Sequence, residues 1–316
     1  MKPQSRLIKS NGRSATSLAF WRDDYLNSKR VKLEKSTLRN YRQAINLYIN
    51  YVGEAHWPPT RFDVIQFLDD VKARASQKTT FSYWVILRGW FGYIAKLGGF
   101  DIVPNPAQQI EELELAPKNP RVKPKGIPKK HIDTLLTYLR RSSDKLVDAR
   151  DLTLLHFLYR TGARAGEVAR LNLEMLHIDS NRVCIPAEDV KGDEDREFYF
   201  GEKVKADLRK WLDILHDQGY KEMWIFPSTR GEKLLQRPLT VSGIYQMFHR
   251  RLEQVGLPMY CIHDLRHTFT KEAMRQAKSL ASIQKQLGHS SPDMVLWYAK
   301  CFSQEHEQDF INFGDE

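Results

Sequence analysis

The chain has 316 residues, of which 41% are hydrophobic and 28% charged, so two soluble domains with buried cores are expected. No apolar run approaches the roughly 18 residues of a membrane helix. The basic start Met1–Arg6 leads into no apolar signal region. Three scattered cysteines are too few for a disulfide framework or a thiolate zinc site. We therefore expect a cytoplasmic protein with no membrane partner, no metal and no other cofactor.

Positive charge is concentrated in the first two-fifths of the chain. Residues 1–125 hold 21 Lys and Arg against 11 Asp and Glu, whereas the remaining residues hold 28 of each. A basic domain next to a neutral one is typical of a protein that grips a polyanion with the first. On charge alone, a solubilising surface without a partner is an equal alternative.

The first hundred residues predict a bundle of four helices. The first helix begins near Ser14 or Thr16, and Ser36 caps the second. Thr60 caps the third, and the fourth runs over residues 78–97. Aromatic residues form the core, which leaves basic side chains on the surface. The candidates for contact with a polyanion, here and in the segment that follows, are Lys35, Arg39, Arg42, Lys78, Arg88, Lys123 and Lys125.

Residues 104–126 are predicted to link a first domain, 1–103, to a second, 127–316. Five prolines lie between Pro104 and Pro124, together with several basic residues. Such a segment stays extended and cannot build a core. It could follow a phosphate backbone or serve as a plain hinge, and the two roles are compatible.

The second domain is predicted to be mainly helical with a small β-sheet. Two strands, Arg182–Pro186 and Glu197–Phe200, are joined by the polar loop around residues 190–195. The apolar stretch Trp224–Pro227 is too short to assign. Helices are predicted over residues 129–141, 144–162, 166–171, 202–217, 240–255, 263–277, 279–287 and 291–300.

Three short motifs in this domain bring together the groups needed to attack a phosphodiester. They are Thr161–Glu167, His263–His267 and Leu287–Tyr298, and they contain two arginines, three histidines and one tyrosine. The reaction needs an attacking oxygen, positive donors for the non-bridging oxygens, and groups that accept and donate protons. Arginine suits the phosphate because its planar fork binds two oxygens and stays charged.

Helical spacing relates these side chains to one another. His263 and Arg266 are three residues apart and share a helix face, so they could hold the same phosphate. Glu167 follows Arg164 by three residues and could orient it. Each residue alone also has a plain structural interpretation, such as a surface position for Arg164 or core packing for Tyr298.

A metal site is the competing interpretation of the histidines. His263 and His267 are four residues apart, as in the zinc-binding motif of metalloproteases. Asp264, however, stands where that motif has Glu, and no third ligand is evident. The sequence therefore favours a site without a metal.

In this order, with nine residues from His289 to Tyr298, the motifs resemble those of the tyrosine recombinase/integrase family, which includes phage integrases and Xer recombinases. The resemblance covers nearly the full length. It implies a mostly α fold with a small β-sheet, in which an N-terminal helical, SAM-like core-binding bundle and a mixed α/β catalytic domain form a C-shaped clamp. The implied partners are double-stranded DNA with a specific recombination site and further copies of the chain, four protomers on two sites.

The resemblance also implies roles. Arg164 and Arg266 clamp the scissile phosphate, and His263 and His289 hydrogen-bond it and assist proton transfer. Tyr298 attacks, which leaves a 3′-phosphotyrosyl link and a free 5′ hydroxyl, so that rejoining needs no ATP. Glu167 and His267 support these groups.

Lys191 fits best as the lysine that the family places on a β-hairpin turn to protonate the leaving 5′ oxygen. Its loop departs from the family pattern, because Asp193, Glu194 and Asp195 replace residues that are usually basic. Ala165-Gly166 also replaces the usual large aliphatic residue and serine. The tail 302–316 is expected to contact a neighbouring subunit, the alternative being its own domain.

We therefore expect a site-specific DNA recombinase acting in integration, excision or resolution of DNA, such as that of a mobile element. A related enzyme that relaxes supercoils as a type IB topoisomerase would share the chemistry without needing a partner site. A non-catalytic DNA-binding accessory protein would bind its site without forming a covalent adduct.

Overall fold

The computed structural model describes residues 17–54, 56–97, 105–108, 110, 125–189, 195–276, 279–288 and 296–298. Lys123, Lys191, His289 and the tail 302–316 lie outside these residues. The chain divides into two compact units, Met1–Val122 and Lys123–Glu316, and the division falls within the segment predicted as the linker. The predicted fold class, mostly α with small antiparallel sheets, is confirmed.

The first unit contains the four predicted helices, which are α1 (Leu18–Lys29), α2 (Lys35–Val52), α3 (Arg61–Arg74) and α4 (Gln77–Lys96). Thr60 caps α3 as predicted, since its hydroxyl accepts from the Asp63 N–H and the Asp63 carboxylate accepts from the Thr60 N–H. The core is aromatic, with Tyr48, Phe67, Trp90 and Phe91 fully buried. Tyr48 makes edge-to-face contacts with the other three rings.

Two predictions for this unit are wrong. Ser36 does not cap α2, because the helix begins at Lys35 after Glu34 and the Ser36 hydroxyl bonds the Glu34 carboxylate instead. The linker is also not wholly excluded from a core, since Ala107 and Ile110 are buried with the bundle. The indole of Trp84 donates to the Ala107 carbonyl at 2.9 Å, which ties this stretch to α4.

The described part of the second unit has seven helices, which are α5 (Lys129–Arg141), α6 (Leu146–Thr161), α7 (Ala165–Val168), α8 (Glu202–Asp217), α9 (Val241–Gln254), α10 (His263–Arg275) and α11 (Leu280–Leu287). The first six contribute to one large hydrophobic core, whereas α11 packs with the end of α10 in a small separate cluster of Ala273, Ile283 and Leu287. The helix predicted over 166–171 is only one turn long and begins one residue earlier, at Ala165. Of the helix predicted over 291–300, residues 296–298 are described and are helical.

The two predicted strands are β2 (Arg182–Ile185) and β3 (Arg196–Tyr199), paired antiparallel with Cys184 opposite Glu197. A two-residue strand, β1 (Leu176–His177), extends this sheet on the β2 side. A second hairpin, β4 (Pro227–Arg230) with β5 (Lys233–Pro238), is absent from the prediction. Its strands are mostly polar and lack alternating apolar residues, so neither hydrophobic periodicity nor composition indicates a strand at these positions.

α6 is buried along nearly its whole length and carries its own ion-pair network. Asp148 and Asp151 both accept from the buried guanidinium of Arg251 on α9, and Asp151 also accepts from Arg150. Because buried carboxylates are costly unless they are paired, these contacts fix the rotation of α6 about its axis. The helix therefore ends at a defined place and delivers the Thr161–Glu167 motif there.

No helix in the described part of the chain is long and apolar enough to cross a membrane. Within the same residues, no group of three or more His, Cys, Asp and Glu side chains is arranged to hold a metal ion.

Candidate active site

Gly162 makes the turn that ends α6 and starts the candidate site. Its φ of +68° lies in the left-handed region that glycine favours. A Cβ at this position would also lie 2.6 Å from the Phe269 ring and 2.9 Å from a methyl carbon of Leu287. The chain can therefore turn here only without a side chain, and the turn places Arg164 just before α7.

Glu167 holds Arg164 by both its backbone and its side chain. The Arg164 N–H donates to Glu167 Oε2 at 2.6 Å, and Arg164 Nη1 donates to Glu167 Oε1 at 3.0 Å. Glu167 is buried, whereas 45% of the Arg164 side chain is exposed. Glu167 thus holds the guanidinium on its buried side, while its exposed side is open to a ligand. The three-residue spacing predicts this contact between Arg164 and Glu167.

Arg266 lies on α10 and is almost fully buried, at 2% exposure. Its Nη1 donates to the Gly162 carbonyl at 2.7 Å and its Nη2 to the Leu287 carbonyl at 2.8 Å. Burial lowers the pKa of Arg266 to about 9, helped by Arg164 and opposed by Glu167, which still leaves the group charged at neutral pH. Arg266 therefore ties together the ends of α6 and α11 as a fixed positive charge.

His263 starts α10 on the same face as Arg266. Burial of its ring, with the nearby His267, Arg266 and Arg164, lowers the pKa of His263 to about 4. The residue as a whole is nevertheless exposed to solvent. His263 is therefore neutral at physiological pH and can donate or accept one hydrogen bond at each nitrogen according to its tautomer.

Tyr298 is buried, at 1% exposure, and its hydroxyl lies 2.6 Å from Nδ1 of His267. The His267 ring in turn lies edge-on to that of His263, with 4.9 Å between centroids. Burial lowers the pKa of His267, so the neutral ring can accept the phenol proton when Nδ1 is the unprotonated nitrogen. His267 is thus the direct partner of the tyrosine hydroxyl in this structure.

Arg196 on β3 is a third arginine beneath the site, and the sequence analysis missed it. It is 8% exposed, and its Nε lies 3.6 Å from Glu167 Oε1. Arg196 lies one residue before the strand predicted as Glu197–Phe200, and its place at the edge of a polar loop gave no sign that it faces the motifs. The alternation of side chains along the strand is the one signal that could have found it, because it places Arg196 on the same face as the buried Phe198. A charged residue that faces the core needs a partner there.

The two remaining predicted catalytic residues lie outside the described residues, but their flanks are described. Ile185 and Arg196 are paired across the hairpin from whose loop Lys191 comes. α11 ends at Leu287 with Gly288 in the left-handed conformation, as the predicted glycine C-cap requires, and His289 follows directly.

The described candidates for contact with a polyanion all lie at exposed positions. Arg42 forms an ion pair with Asp23, and Arg88 stacks over the Trp84 ring at 4.6 Å. Lys35, Arg39, Lys78 and Lys125 are the other members of this set, and Lys123 lies outside the described residues.

The described site combines a fixed buried arginine, an exposed arginine on a carboxylate, a neutral histidine, and a tyrosine hydroxyl bonded to a second histidine. Arg164 bonds Glu167, Arg266 bonds the carbonyl of Gly162 two residues before Arg164, and His267 next to Arg266 bonds Tyr298, so these groups lie in one region. Two guanidinium groups match the charge of a pentavalent phosphorus, and a tyrosine hydroxyl has an oxygen that can attack it.

The lowered pKa of His263 predicts how stability changes with pH. In the unfolded chain the ring returns to its ordinary pKa of 6.5, so between pH 6.5 and about 4 the unfolded state binds more protons. The contribution of neutral His263 to stability is therefore present above pH 6.5 and is lost as the pH falls towards 4. Because the residue is exposed to solvent, we expect an effect below about 1 kcal/mol. The free energy of unfolding, measured with urea, should differ less between pH 7 and pH 5 for His263→Gln than for the unchanged chain. Equal differences for the two proteins would contradict a lowered pKa of His263.

Sequence comparisons match this chain to one family of known proteins. The model of the Phage integrase family matches residues 125–305. A tyrosine recombinase XerC from Thermodesulfovibrio yellowstonii is 28% identical over 292 residues, which cover 87% of this chain and 90% of the relative. A tyrosine recombinase XerC from Mannheimia succiniciproducens is 25% identical, over 86% of this chain and 88% of the relative.

Solved structures share the fold. The XerH site-specific recombinase in a post-cleavage complex with palindromic difH substrate matches with a TM-score of 0.72 and 17% identity, over 98% of this chain and 99% of that chain. A lambda integrase dimer bound to a COC′ core site matches with a TM-score of 0.67 and 17% identity, over 89% of this chain and 77% of that chain.

Proposed function

The chain belongs to the phage integrase family of tyrosine recombinases, and from this premise we propose that it cleaves and rejoins DNA strands at a specific site through a 3′-phosphotyrosyl intermediate. The observation that carries the proposal is the pairing of the Tyr298 hydroxyl with His267 in the unit that also holds Arg164 on Glu167 and Arg266 on two carbonyls. These are the nucleophile and the charges that phosphoryl transfer requires.

In the proposed cleavage step, Tyr298 Oη attacks phosphorus while the bond from phosphorus to the 5′ oxygen breaks. The phenol proton goes to His267 Nδ1, its hydrogen-bond partner. Arg164 and Arg266 stabilise the charge on the non-bridging oxygens, with His263 as a further donor. Lys191 gives a proton to the leaving 5′ oxygen, and His289 joins the phosphate contacts. Rejoining reverses these transfers, so bond energy is conserved in the tyrosyl ester.

The buried position of Tyr298 adds a requirement to this mechanism. A side chain at 1% exposure meets a DNA phosphate only after the groups that cover it are displaced. We propose that site binding causes this displacement, so that the nucleophile is protected in the free protein. Such a conformational step would limit unspecific strand cleavage.

Trapping of a covalent intermediate tests the function. The target sequence is first selected from a randomised duplex library by its binding to the Tyr298→Phe protein. A duplex of that sequence, nicked close to the cleavage position, then loses the short fragment that carries the 5′ hydroxyl, so rejoining is blocked. A protein–DNA adduct resistant to denaturation is the expected result. Binding without an adduct would instead support the accessory-protein alternative, and relaxation of plasmids that lack the site would support the topoisomerase alternative.

We further propose that the first unit contacts the DNA through α2 and α4. These helices border an open groove of about 550 Å³, whose lining combines apolar and aromatic side chains such as Phe81 and Val85 with uncharged polar ones such as Thr37, Asn40 and Gln43. Lys78 lies in the same lining, and Lys35 and Arg39 are exposed on α2. Amides and hydroxyls read base edges, while lysine and arginine neutralise phosphates, so the groove has groups for both tasks.

Lys78→Gln should weaken DNA binding to all sequences alike. Removal of one phosphate contact should reduce the slope of log affinity against log salt by about one. The matched control is Lys96→Gln, which makes the same charge change about 27 Å away along α4. Fluorescence anisotropy at several salt concentrations measures both slopes. Equal slopes for the two variants would show that Lys78 does not contact a phosphate of the DNA.

The assembly that we propose is a tetramer of protomers on two sites, which serves integration, excision or resolution of DNA. It is supported by family membership, because exchange between two duplexes requires cleavage of four strands. Analytical ultracentrifugation with the selected duplex should give a complex of two duplexes and four chains.

A further inference from the structure

We infer that Arg196 is a positioning residue for strand cleavage, which connects the Lys191 hairpin, the Glu167–Arg164 pair and the end of α11 that precedes His289. The inference rests on the proposed function and adds to it a residue outside the three motifs. It is carried by the contacts of one buried guanidinium with three separate elements.

The first set of contacts closes the end of α11. Arg196 Nη1 donates to the Lys285 carbonyl at 2.8 Å, and Nη2 donates to the Gln286 carbonyl. The last carbonyls of a helix have no partners within it, and a cation there also favours the negative end of the helix dipole. Arg196 therefore fixes the residues from which the chain continues to His289.

Gly288 reveals how closely the two elements approach. With φ at +60°, a Cβ on Gly288 would collide with the Arg196 guanidinium. Glycine at this position thus serves two purposes, the left-handed turn and the space for Arg196. Any residue with a side chain at this position would have to displace the Arg196 guanidinium or move α11 away from β3.

The second contact reaches the phosphate-binding arginines through Glu167. Arg196 Nε lies 3.6 Å from Glu167 Oε1, the same oxygen that accepts from Arg164. Arg196 thereby supplies positive charge to a buried carboxylate that holds the exposed Arg164. Without it, Glu167 would be less well paired, and the Arg164 fork would lose its fixed orientation.

The third contact anchors Arg196 in its own hairpin. Its Nη1 also donates to the Glu197 carbonyl at 2.6 Å, and its guanidinium lies 5.0 Å from the centre of the Phe198 ring. The side chain is thus fixed against β3, the strand that follows Lys191 in the chain. Arg196 therefore contacts the elements next to three proposed catalytic residues, which are Lys191, Arg164 and His289.

The test compares Arg196→Gln with Arg182→Gln. Arg182 lies on β2 of the same hairpin, carries the same charge and pairs with Glu197, but it is 41% exposed and makes no described contact with the motifs. Single-turnover cleavage of the selected nicked duplex is measured with protein in excess, well below the unfolding temperature. The rate constant should fall on the order of a hundredfold for Arg196→Gln. It should stay near that of the unchanged chain for Arg182→Gln, and DNA affinity should change little in either.

Arg196→Lys distinguishes geometry from charge. Lysine keeps the charge but cannot bridge two carbonyls and a carboxylate, so its rate constant should lie between those of the glutamine variant and the unchanged chain. If either lysine or glutamine supports the full cleavage rate per bound complex, the inference is overturned and Arg196 has only a structural role.

Hydrogen exchange gives a second readout that does not depend on activity. Arg196→Gln should speed exchange at the amides of residues 163–168 and 285–288, and Arg182→Gln should not. Unchanged exchange in both segments would overturn the inference even if cleavage falls. If the unchanged chain forms no adduct, the proposed function fails, whereas exchange still decides whether Arg196 fixes these segments.

Discussion

Tyr298→Phe is expected to abolish the covalent protein–DNA adduct completely while the protein continues to bind its site. Phenylalanine has the same ring but no oxygen to attack phosphorus. The loss of the hydrogen bond to His267 should cost about 1 kcal/mol of stability. Denaturing gel electrophoresis of the nicked duplex measures the adduct, and a binding assay measures affinity.

Tyr199→Phe is the matched control for this experiment. Its hydroxyl also bonds a side chain of the second unit, Glu197, but the residue is 45% exposed and belongs to β3. This variant should form the adduct at the rate of the unchanged chain. Adduct formation by Tyr298→Phe would show that another residue is the nucleophile and would refute the proposed mechanism.

Arg266→Gln should reduce the rate of strand cleavage by about a hundred- to a thousandfold, because a fixed positive donor is lost from the transition state. The same change should lower stability by about 2–3 kcal/mol. The guanidinium is buried at 2% exposure, and its removal leaves the Gly162 and Leu287 carbonyls without their partner. Urea unfolding and single-turnover cleavage measure the two effects separately.

Arg164→Gln separates catalysis from folding. Arg164 is 45% exposed and bonds only Glu167 in the described contacts, so its replacement should cost much less stability but a similar factor in cleavage rate. Arg209→Gln, an exposed change on α8 that removes only a surface ion pair with Asp179, should alter neither quantity. If Arg164→Gln cleaves at the unchanged rate, Arg164 is not part of a clamp of two arginines.

Much of the local structure could be predicted because it depends on near neighbours in the chain. Thr60 caps α3 through Asp63, three residues away, and Gly288 ends α11 in the turn expected of it. Ser36 shows the limit of such reasoning, since Glu34, two residues earlier, provides an alternative partner for the serine hydroxyl. The hairpin of β4 and β5 was missed because its mostly polar strands show no alternation of apolar and polar residues.

The sequence by itself determined the chemical groups of the site, the family and the three-residue relation of Arg164 to Glu167, since motif spacing and residue type are local properties. Tertiary structure decided which groups meet across long stretches of chain. It paired Tyr298 with His267, buried Arg266 between the ends of α6 and α11, and brought Arg196 under Glu167. These contacts join residues between 21 and 104 positions apart, and they arise from the way in which α6, α10, α11 and β3 pack against one another. No local pattern records that packing, because it is the sum of many weak apolar contacts.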